Sequence, residues 1–155
     1  MSTIKYILDT NVFINLQKIY PLTIFDSLWK IFESLLNDGI AISSIEVFKE
    51  LHICNDDIVE LAERNKHIFF KNTYYIYMEV RDILKKYPKL VTGSKKSNNA
   101  DPFVIALAKK HNCTLVSSET RAGKDNPEKI PNVCDDYKIR YITFIDFLRE
   151  NKVLI

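Results

Sequence analysis

Glycine is scarce in this chain, and its scarcity argues against one large class of nucleotide-binding protein. Only three of the 155 residues are glycine (Gly39, Gly93 and Gly123), and none lies directly after the first predicted strand. A dinucleotide-binding Rossmann domain needs a glycine-rich turn at that point to bring its backbone close to a pyrophosphate. The sequence therefore gives no support to a Rossmann nucleotide site.

Cysteine and histidine are also few and widely separated. The three cysteines, Cys54, Cys113 and Cys134, have no Cys-x-x-Cys spacing, and the three histidines have no zinc-like spacing. These patterns argue against a zinc knuckle and against a disulfide framework. They favour a reducing compartment, so we expect the protein to be cytoplasmic.

The chain also lacks a long apolar run and a large net charge. No stretch approaches the roughly 18 apolar residues that a membrane-spanning helix needs. Met1-Ser2-Thr3 leads straight into the first predicted strand, so we expect no signal peptide and no membrane contact. The formal net charge is only +2. Positive charge is bunched locally in lysine pairs such as Lys95-Lys96, which either face solvent or bind a phosphate backbone.

Short apolar runs alternate with helical patterns along the whole sequence. The predicted strands are Ile4–Leu8, Ile40–Ser43, Cys113–Ser117 and Arg140–Ile142. The predicted helices are Val12–Ile19, Ile24–Leu36, Ile45–His52, Asn55–Lys66, Tyr74–Tyr87 (where a strand is the alternative), Asp101–His111, Pro131–Tyr137 and one that begins after Thr143. This alternation predicts a single α/β domain over residues 1–155, with a mostly parallel sheet of four or five strands covered on both faces in three layers.

Asp9 is placed where such a fold carries out its chemistry. The apolar run Ile4–Leu8 ends in Asp9-Thr10-Asn11, and a helical pattern follows at once. In an open α/β sheet, ligands bind beyond the carboxyl ends of the strands. Asp9 is therefore a candidate functional residue, although Asp9 or Asn11 could instead only cap the next helix.

Further acids are available to join Asp9. Glu46 and Glu50 lie four residues apart on one helical stripe, and Glu119 follows the third predicted strand. Asp101-Pro102 opens a helix, where a capping role alone would explain both residues. Three or four carboxylates gathered at one sheet edge would repel each other by roughly 3 kcal/mol per pair. Such a cluster needs cations, and carboxylate oxygens with few histidines suit Mg²⁺ or Mn²⁺, the usual apparatus for phosphodiester hydrolysis.

Four of these segments, taken in order, resemble a PIN domain. They are Asp9-Thr10-Asn11, Val47-Phe48-Lys49-Glu50-Leu51, Ala100-Asp101-Pro102-Phe103-Val104-Ile105-Ala106 and Leu115-Val116-Ser117-Ser118-Glu119. The resemblance spans the chain from Tyr6 to about Leu148. It implies an α/β/α nuclease of the kind that, in many members, is the toxin of a bacterial toxin–antitoxin pair and cuts RNA with Mg²⁺ or Mn²⁺.

The resemblance also implies a role for each matching residue. The implied catalytic and metal-binding acids, for one or two ions, are Asp9, Glu50, Asp101 and Glu119, with Glu46 as the alternative to Glu50. The implied supporting residues are Asn11, Ser117 and Ser118, and the implied RNA-binding residues are Lys95 and Lys96. Two departures from the family pattern are Glu119, where an aspartate is usual, and His52, where a small residue usually follows the Glu-Leu pair.

The sequence therefore predicts a metal-dependent endoribonuclease, with RNA as substrate and a small antitoxin protein as partner. Homodimerisation, which is common in the resembling family, is a further expectation. Two alternatives stay open at this point. One is a degenerate PIN-like module that binds RNA or protein without cutting. The other is a haloacid-dehalogenase-like phosphatase, which would need a second aspartate where this chain has Asn11.

Overall fold

Five parallel strands form the centre of the molecule in the computed structural model, which describes residues 3–54, 56–91, 100–120 and 128–155. The strands are β1 (Tyr6–Leu8), β2 (Ala41–Ser44), β3 (Phe69–Phe70), β4 (Thr114–Val116) and β5 (Tyr141–Ile142). Their order across the sheet is β3-β2-β1-β4-β5, and every pair is parallel. The first strand therefore lies at the middle of the sheet, with Leu8 opposite Val116 of β4.

Helices connect the strands and cover the sheet. They are α1 (Thr10–Ile19), α2 (Asp26–Asn37), α3 (Ile45–Leu51), α4 (Asp57–Arg64), α5 (Tyr74–Lys86), α6 (Asp101–His111), α7 (Ile130–Tyr137) and α8 (Phe144–Glu150), with short 3-10 turns at Lys66–Ile68 and Pro88–Leu90. α5, α6 and α7 pack side by side as one layer, and α6 lies against β1 and β2. On the other side, aromatic side chains join α1, α2 and α8.

The predicted fold class is confirmed: the chain is a three-layer α/β/α structure with a parallel sheet. One strand was not predicted, because β3 has only two residues, Phe69 and Phe70. The segment for which helix and strand were alternatives is the helix α5. Within the part of the chain that the structure describes, no helix is long and apolar enough to span a membrane.

Local sequence signals fix the ends of several elements. Ser44 ends β2, and its hydroxyl accepts a hydrogen bond from the Glu46 amide at 3.1 Å, which begins α3. Thr143 caps α8 in the same way through the Asp146 amide at 3.2 Å. Gly39 has φ 78° just after α2, a conformation that glycine adopts without steric cost. These caps determine where the chain turns from one layer to the next.

The core lies on both faces of the sheet, which explains the continuous apolar character of the strands. Ile7 and Leu8 of β1 are fully buried, as are Leu115 and Val116 of β4. Phe32 of α2 contacts Phe13, Phe144 and Phe147 at ring-centroid distances of 5.9, 5.7 and 6.4 Å. The sheet is thus held rigidly from both sides, and the carboxyl ends of its central strands have fixed positions.

Candidate functional site

Asp9 lies at the carboxyl end of β1, directly before α1, and only 2% of it is exposed. One carboxylate oxygen, Oδ1, accepts a hydrogen bond from the Thr10 amide at 2.7 Å. The other, Oδ2, accepts one from the Ser117 hydroxyl at 2.8 Å. Asp9 therefore caps α1, and it is at the same time tied to the end of β4 at the carboxyl edge of the sheet.

Glu50 reaches the same place from the last turn of α3. Its Oε2 accepts a hydrogen bond from the Thr10 hydroxyl at 2.6 Å, and its Oε1 accepts one from the Ala100 amide at 3.1 Å. The side chain thereby links α1, α3 and the start of α6. Glu46, one turn earlier, lies elsewhere: its Oε1 accepts hydrogen bonds from Asn72 at 2.9 Å and Lys49 at 3.1 Å. Of the two helix acids, the structure brings Glu50 to the site.

Asp101 is the first residue of α6 and is buried, with 6% exposed. The residue before the helix is Ala100, and no side chain caps this helix end. Asp101 therefore does not act as the N-cap of α6. The capping role that was the alternative explanation of Asp101-Pro102 is not observed. Within the described residues, no hydrogen-bond donor contacts the Asp101 carboxyl group. Because the residue is largely buried and neighbouring acids repel it, the ionised form of Asp101 is disfavoured.

Glu119 lies beyond the end of β4 and has a partner of its own. Its Oε2 accepts a hydrogen bond from the Ile130 amide at 3.1 Å, at the start of α7. The Tyr141 hydroxyl of β5 donates to the backbone carbonyl of Glu119 and lies 3.2 Å from that of Ser117. The position of Glu119 is therefore set by β5 and α7 together.

Asn11, Ser117 and Ser118 form a hydrogen-bond network behind the acids. The Ser117 hydroxyl donates to Asp9, while Asn11 Nδ2 donates to that hydroxyl at 3.0 Å. Asn11 Oδ1 accepts from the Ser118 amide at 2.9 Å. Asn11 is a fixed amide where a haloacid-dehalogenase-like phosphatase would need a second acid. The network holds the start of α1 against the end of β4.

The other acids of the site raise the pKa of Asp101 and of Asp9. Burial, followed by repulsion from Asp9, Glu119 and Glu50, raises the pKa of Asp101 to about 10. Burial, with a contribution from Glu119 and Glu50, raises the pKa of Asp9 to about 7, although the Ser117 hydrogen bond acts in the opposite direction. Among the described residues, no lysine or arginine is among the groups that shift either pKa. The part of the site that the structure describes is therefore acidic and has no lysine or arginine that compensates its charge.

The donor set suits a hard divalent cation, because all four side chains offer carboxylate oxygens. Within the described ranges, however, no three His, Cys, Asp or Glu side chains already stand in an arrangement that could hold a metal ion. Both oxygens of Asp9 and of Glu50 are engaged in hydrogen bonds, while the Asp101 carboxyl group is open. The residues fit a metal by chemistry and charge, and side-chain rotation would be needed to bring their oxygens to one point.

Two residues at the site were not singled out from the sequence. Thr10 contacts both Asp9 and Glu50, and its place inside the Asp-Thr-Asn tripeptide was a signal that could have identified it. Tyr141 holds the backbone after β4, but nothing in its sequence surroundings indicates that role. The predicted RNA-binding residues Lys95 and Lys96 lie outside the described residues.

Comparisons with known proteins give a family and a likeness to solved structures. The model of the family DUF4411, described as a domain of unknown function, matches residues 6–155. No curated protein matches the chain. Among solved structures, the chain is similar to one described as the crystal structure of VapBC2 from Rickettsia felis bound to a DNA fragment from their promoter. The sequence identity is 13%, the alignment covers 90% of this chain and 98% of that one, and the TM-score is 0.48.

Proposed function

We propose that this chain, which belongs to the family DUF4411, is a metal-dependent endoribonuclease. The observation that carries the proposal is the meeting of Asp9, Glu50 and Asp101, from three separate elements, at the carboxyl edge of the sheet, where their repulsion and burial raise two pKa values. Evolution rarely buries acids together without a ligand to neutralise them, because isolated buried charge is costly. A divalent cation is the simplest neutralising partner.

In this proposal, Asp9, Glu50 and Asp101 hold Mg²⁺ or Mn²⁺, and Glu119 helps to hold a second ion or a water molecule. When bound, the metal activates water and stabilises the leaving oxygen of the phosphodiester. The chain's own contribution is positioning. Ser117 and Thr10 fix the Asp9 carboxylate, and Thr10 with the Ala100 amide fixes that of Glu50. Hydrogen bonds of this kind behind metal ligands set their orientation and basicity.

The resemblance of four ordered segments to a PIN domain supports RNA as the substrate. It also supports the role of a toxin, blocked by a small antitoxin protein and acting in the cytoplasm, and it makes a homodimer an expectation to be measured. None of these partners is needed for the chemistry of the acids themselves. Activity on purified RNA can therefore be tested with this chain alone.

Cleavage of RNA by purified variants tests the proposal. We expect Asp9→Asn and Asp101→Asn each to lower the Mn²⁺-dependent cleavage rate at least about 100-fold, because metal-based charge stabilisation is worth several kcal/mol. Glu50→Gln should behave alike, whereas Glu46→Gln should keep most of the rate because Glu46 is bound to Asn72 and Lys49. Circular dichroism establishes that each variant is folded. Full activity in folded Asp101→Asn would refute the metal-ligand role of that residue.

The second candidate is a PIN-like module that binds RNA or protein without cutting. Two observations favour it: the described carboxylates are not arranged to hold a metal as they stand, and Glu119 is engaged by the Ile130 amide. Calorimetry separates the two functions. Heat of Mn²⁺ binding at millimolar metal, lost in Asp9→Asn, supports the nuclease, while a flat titration of the folded wild type supports the module.

A further inference from the structure

Three tyrosines at the start of α5 are exposed, although tyrosine is usually at least half-buried in a domain of this size. Tyr74 is 80% exposed, Tyr77 is 55% exposed and Tyr75 is 45% exposed. They belong to the first turn of α5, whose inner face is formed instead by Ile76, Val80 and other apolar residues. These tyrosine rings are therefore not needed for the core, and their exposure requires another explanation.

The exposed tyrosines lie on the helix between α3 and α6. Asn72, just before α5, donates a hydrogen bond to Glu46 of α3 at 2.9 Å. On the other side, the Tyr77 ring packs edge-on against Phe103 of α6, with ring centroids 6.1 Å apart. Phe103 is two residues after Asp101. The start of α5 is thus bracketed by α3 and α6, the two helices that carry Glu50 and Asp101.

The charge around these rings is positive. Lys71 and Lys110 are exposed, and neither is in an ion pair within the described part of the chain. The Lys110 ammonium lies 5.6 Å from the centroid of the Tyr75 ring. The nearby acids of α5 have local partners: Glu79 pairs with Lys109 at 2.9 Å, and Asp82 lies 3.5 Å from Arg81. The Lys110 ammonium beside an exposed ring, with Lys71 three residues before Tyr74 in the sequence, matches a phosphate backbone that carries unpaired bases.

We propose that Tyr74 and Tyr77 form a stacking platform for unpaired bases of single-stranded RNA, with Lys71 and Lys110 binding its phosphates. This inference rests on the proposed function and adds a substrate-binding surface to it. In a duplex the base faces are already stacked, so an aromatic platform selects single strands, loops and ends. Base–aromatic stacking tolerates any base sequence, so the platform alone gives no strong sequence preference.

Binding in the absence of metal tests the platform without depending on cleavage. We would measure fluorescence anisotropy of a labelled single-stranded oligoribonucleotide of about ten nucleotides, and of its duplex, with the folded protein in EDTA. Tyr77→Ala and Tyr74→Ala should each weaken single-strand binding roughly 5- to 100-fold, as expected for the loss of one stacked base. Tyr77→Trp should restore the affinity. Ile24→Ala, which alters a 74% exposed apolar side chain outside α5, is the matched control and should leave it unchanged.

Several results would overturn the platform. These are unchanged single-strand affinity in Tyr77→Ala, equal affinity for the duplex, or failure of Tyr77→Trp to restore binding. Loss of self-association of Tyr77→Ala in sedimentation equilibrium, without a change in RNA affinity, would assign the tyrosines to a protein contact instead. The proposed function fails separately, by full cleavage in Asp101→Asn or by no cleavage in the wild type, whatever the tyrosine variants do.

Discussion

In the metal-free protein, the protonation of Asp101 differs strongly between the folded and the unfolded chain. Its pKa of about 10 in the folded chain compares with an ordinary value of 3.8. Between these two pH values the folded chain keeps a proton that the unfolded chain releases. The free energy of unfolding therefore falls as the pH rises from about 4 towards 10. Asp9, with a pKa of about 7, adds to this fall between about pH 4 and 7.

Chemical denaturation in EDTA at pH 5 and pH 8 tests this pH dependence. We expect the wild type to lose stability between these pH values and Asp101→Asn to lose less, so that the variant is the more stable protein at pH 8. Asp26→Asn is the matched control, because Asp26 is also the first residue of a helix but is exposed and paired with Lys30. Greater loss in Asp101→Asn than in the wild type would contradict the raised pKa.

Metal binding should depend on pH for the same reason. Cations bind the ionised carboxylates, so protons must leave Asp9 and Asp101 as the metal enters. We expect the affinity for Mn²⁺ to rise from pH 6 to pH 8, with proton release visible as a different calorimetric heat in buffers of different ionisation enthalpy. A pH-independent affinity with no proton release would mean that both carboxyl groups are already ionised without metal.

The sequence was informative about individual acids because each follows a recognisable local signal. Asp9 ends an apolar run, and Asp101 precedes a proline at the start of a helix. The choice between Glu46 and Glu50 could not be made from the sequence, since both lie on one helical stripe and only tertiary packing separates them. The hydrogen bond from Thr10 to Glu50 joins residues 40 positions apart, a contact that no local pattern encodes.

At the scale of elements, the site depends on the contact between α1 and the end of β4. Ser117 and Asn11 make this contact, 106 residues apart in the sequence, and Ser117 is fully buried. The Ser117 hydroxyl also favours the ionised form of Asp9, because its hydrogen bond lowers the pKa of that acid. One hydroxyl therefore connects the position of a helix with the protonation of Asp9.

Replacing Ser117 tests both effects. Ser117→Ala removes the Ser117 hydroxyl as hydrogen-bond partner of Asp9 Oδ2 and of Asn11 Nδ2, which should cost about 1–3 kcal/mol of unfolding free energy. It should also raise the pKa of Asp9 further and move the acid limb of the pH–rate profile to higher pH. Ser27→Ala, at an exposed position of α2, is the control and should change neither. If the acid limb of the pH–rate profile does not shift in Ser117→Ala, then Ser117 does not influence the reaction through the pKa of Asp9.

Elements with strong local signals were predicted well, and the weakest one was missed. The caps Ser44 and Thr143 and the glycine after α2 lie at the ends of helices that the sequence predicts. β3 has two residues and follows a 3-10 turn, so it is too short to show alternation or an apolar run. It becomes a strand because β2 offers it an edge, with Ser43 opposite Phe69. Pairing of this kind is a property of the assembled sheet.

The aromatic cluster around Phe32 joins three helices and thereby influences the whole molecule. Phe32 is fully buried and touches side chains of α1 and α8 as well as lying on α2. We expect Phe32→Ala to lower the unfolding free energy by about 3–5 kcal/mol through lost burial and the cavity left behind. Urea denaturation measures the change. Ile24→Ala, at a 74% exposed position, should stay within about 0.5 kcal/mol of the wild type.

The central place of β1 has a consequence for biosynthesis. β1 pairs with β2 and with β4, where Leu8 lies opposite Val116. On the ribosome, β1 and β2 are therefore synthesised long before β4, whose end contributes to the acidic site. Contacts of such high sequence separation form late in folding. Fragments from interrupted translation would lack Asp101 or Ser117. If the protein is the proposed ribonuclease, it would therefore be unable to cleave its own messenger RNA until most of the chain has been synthesised.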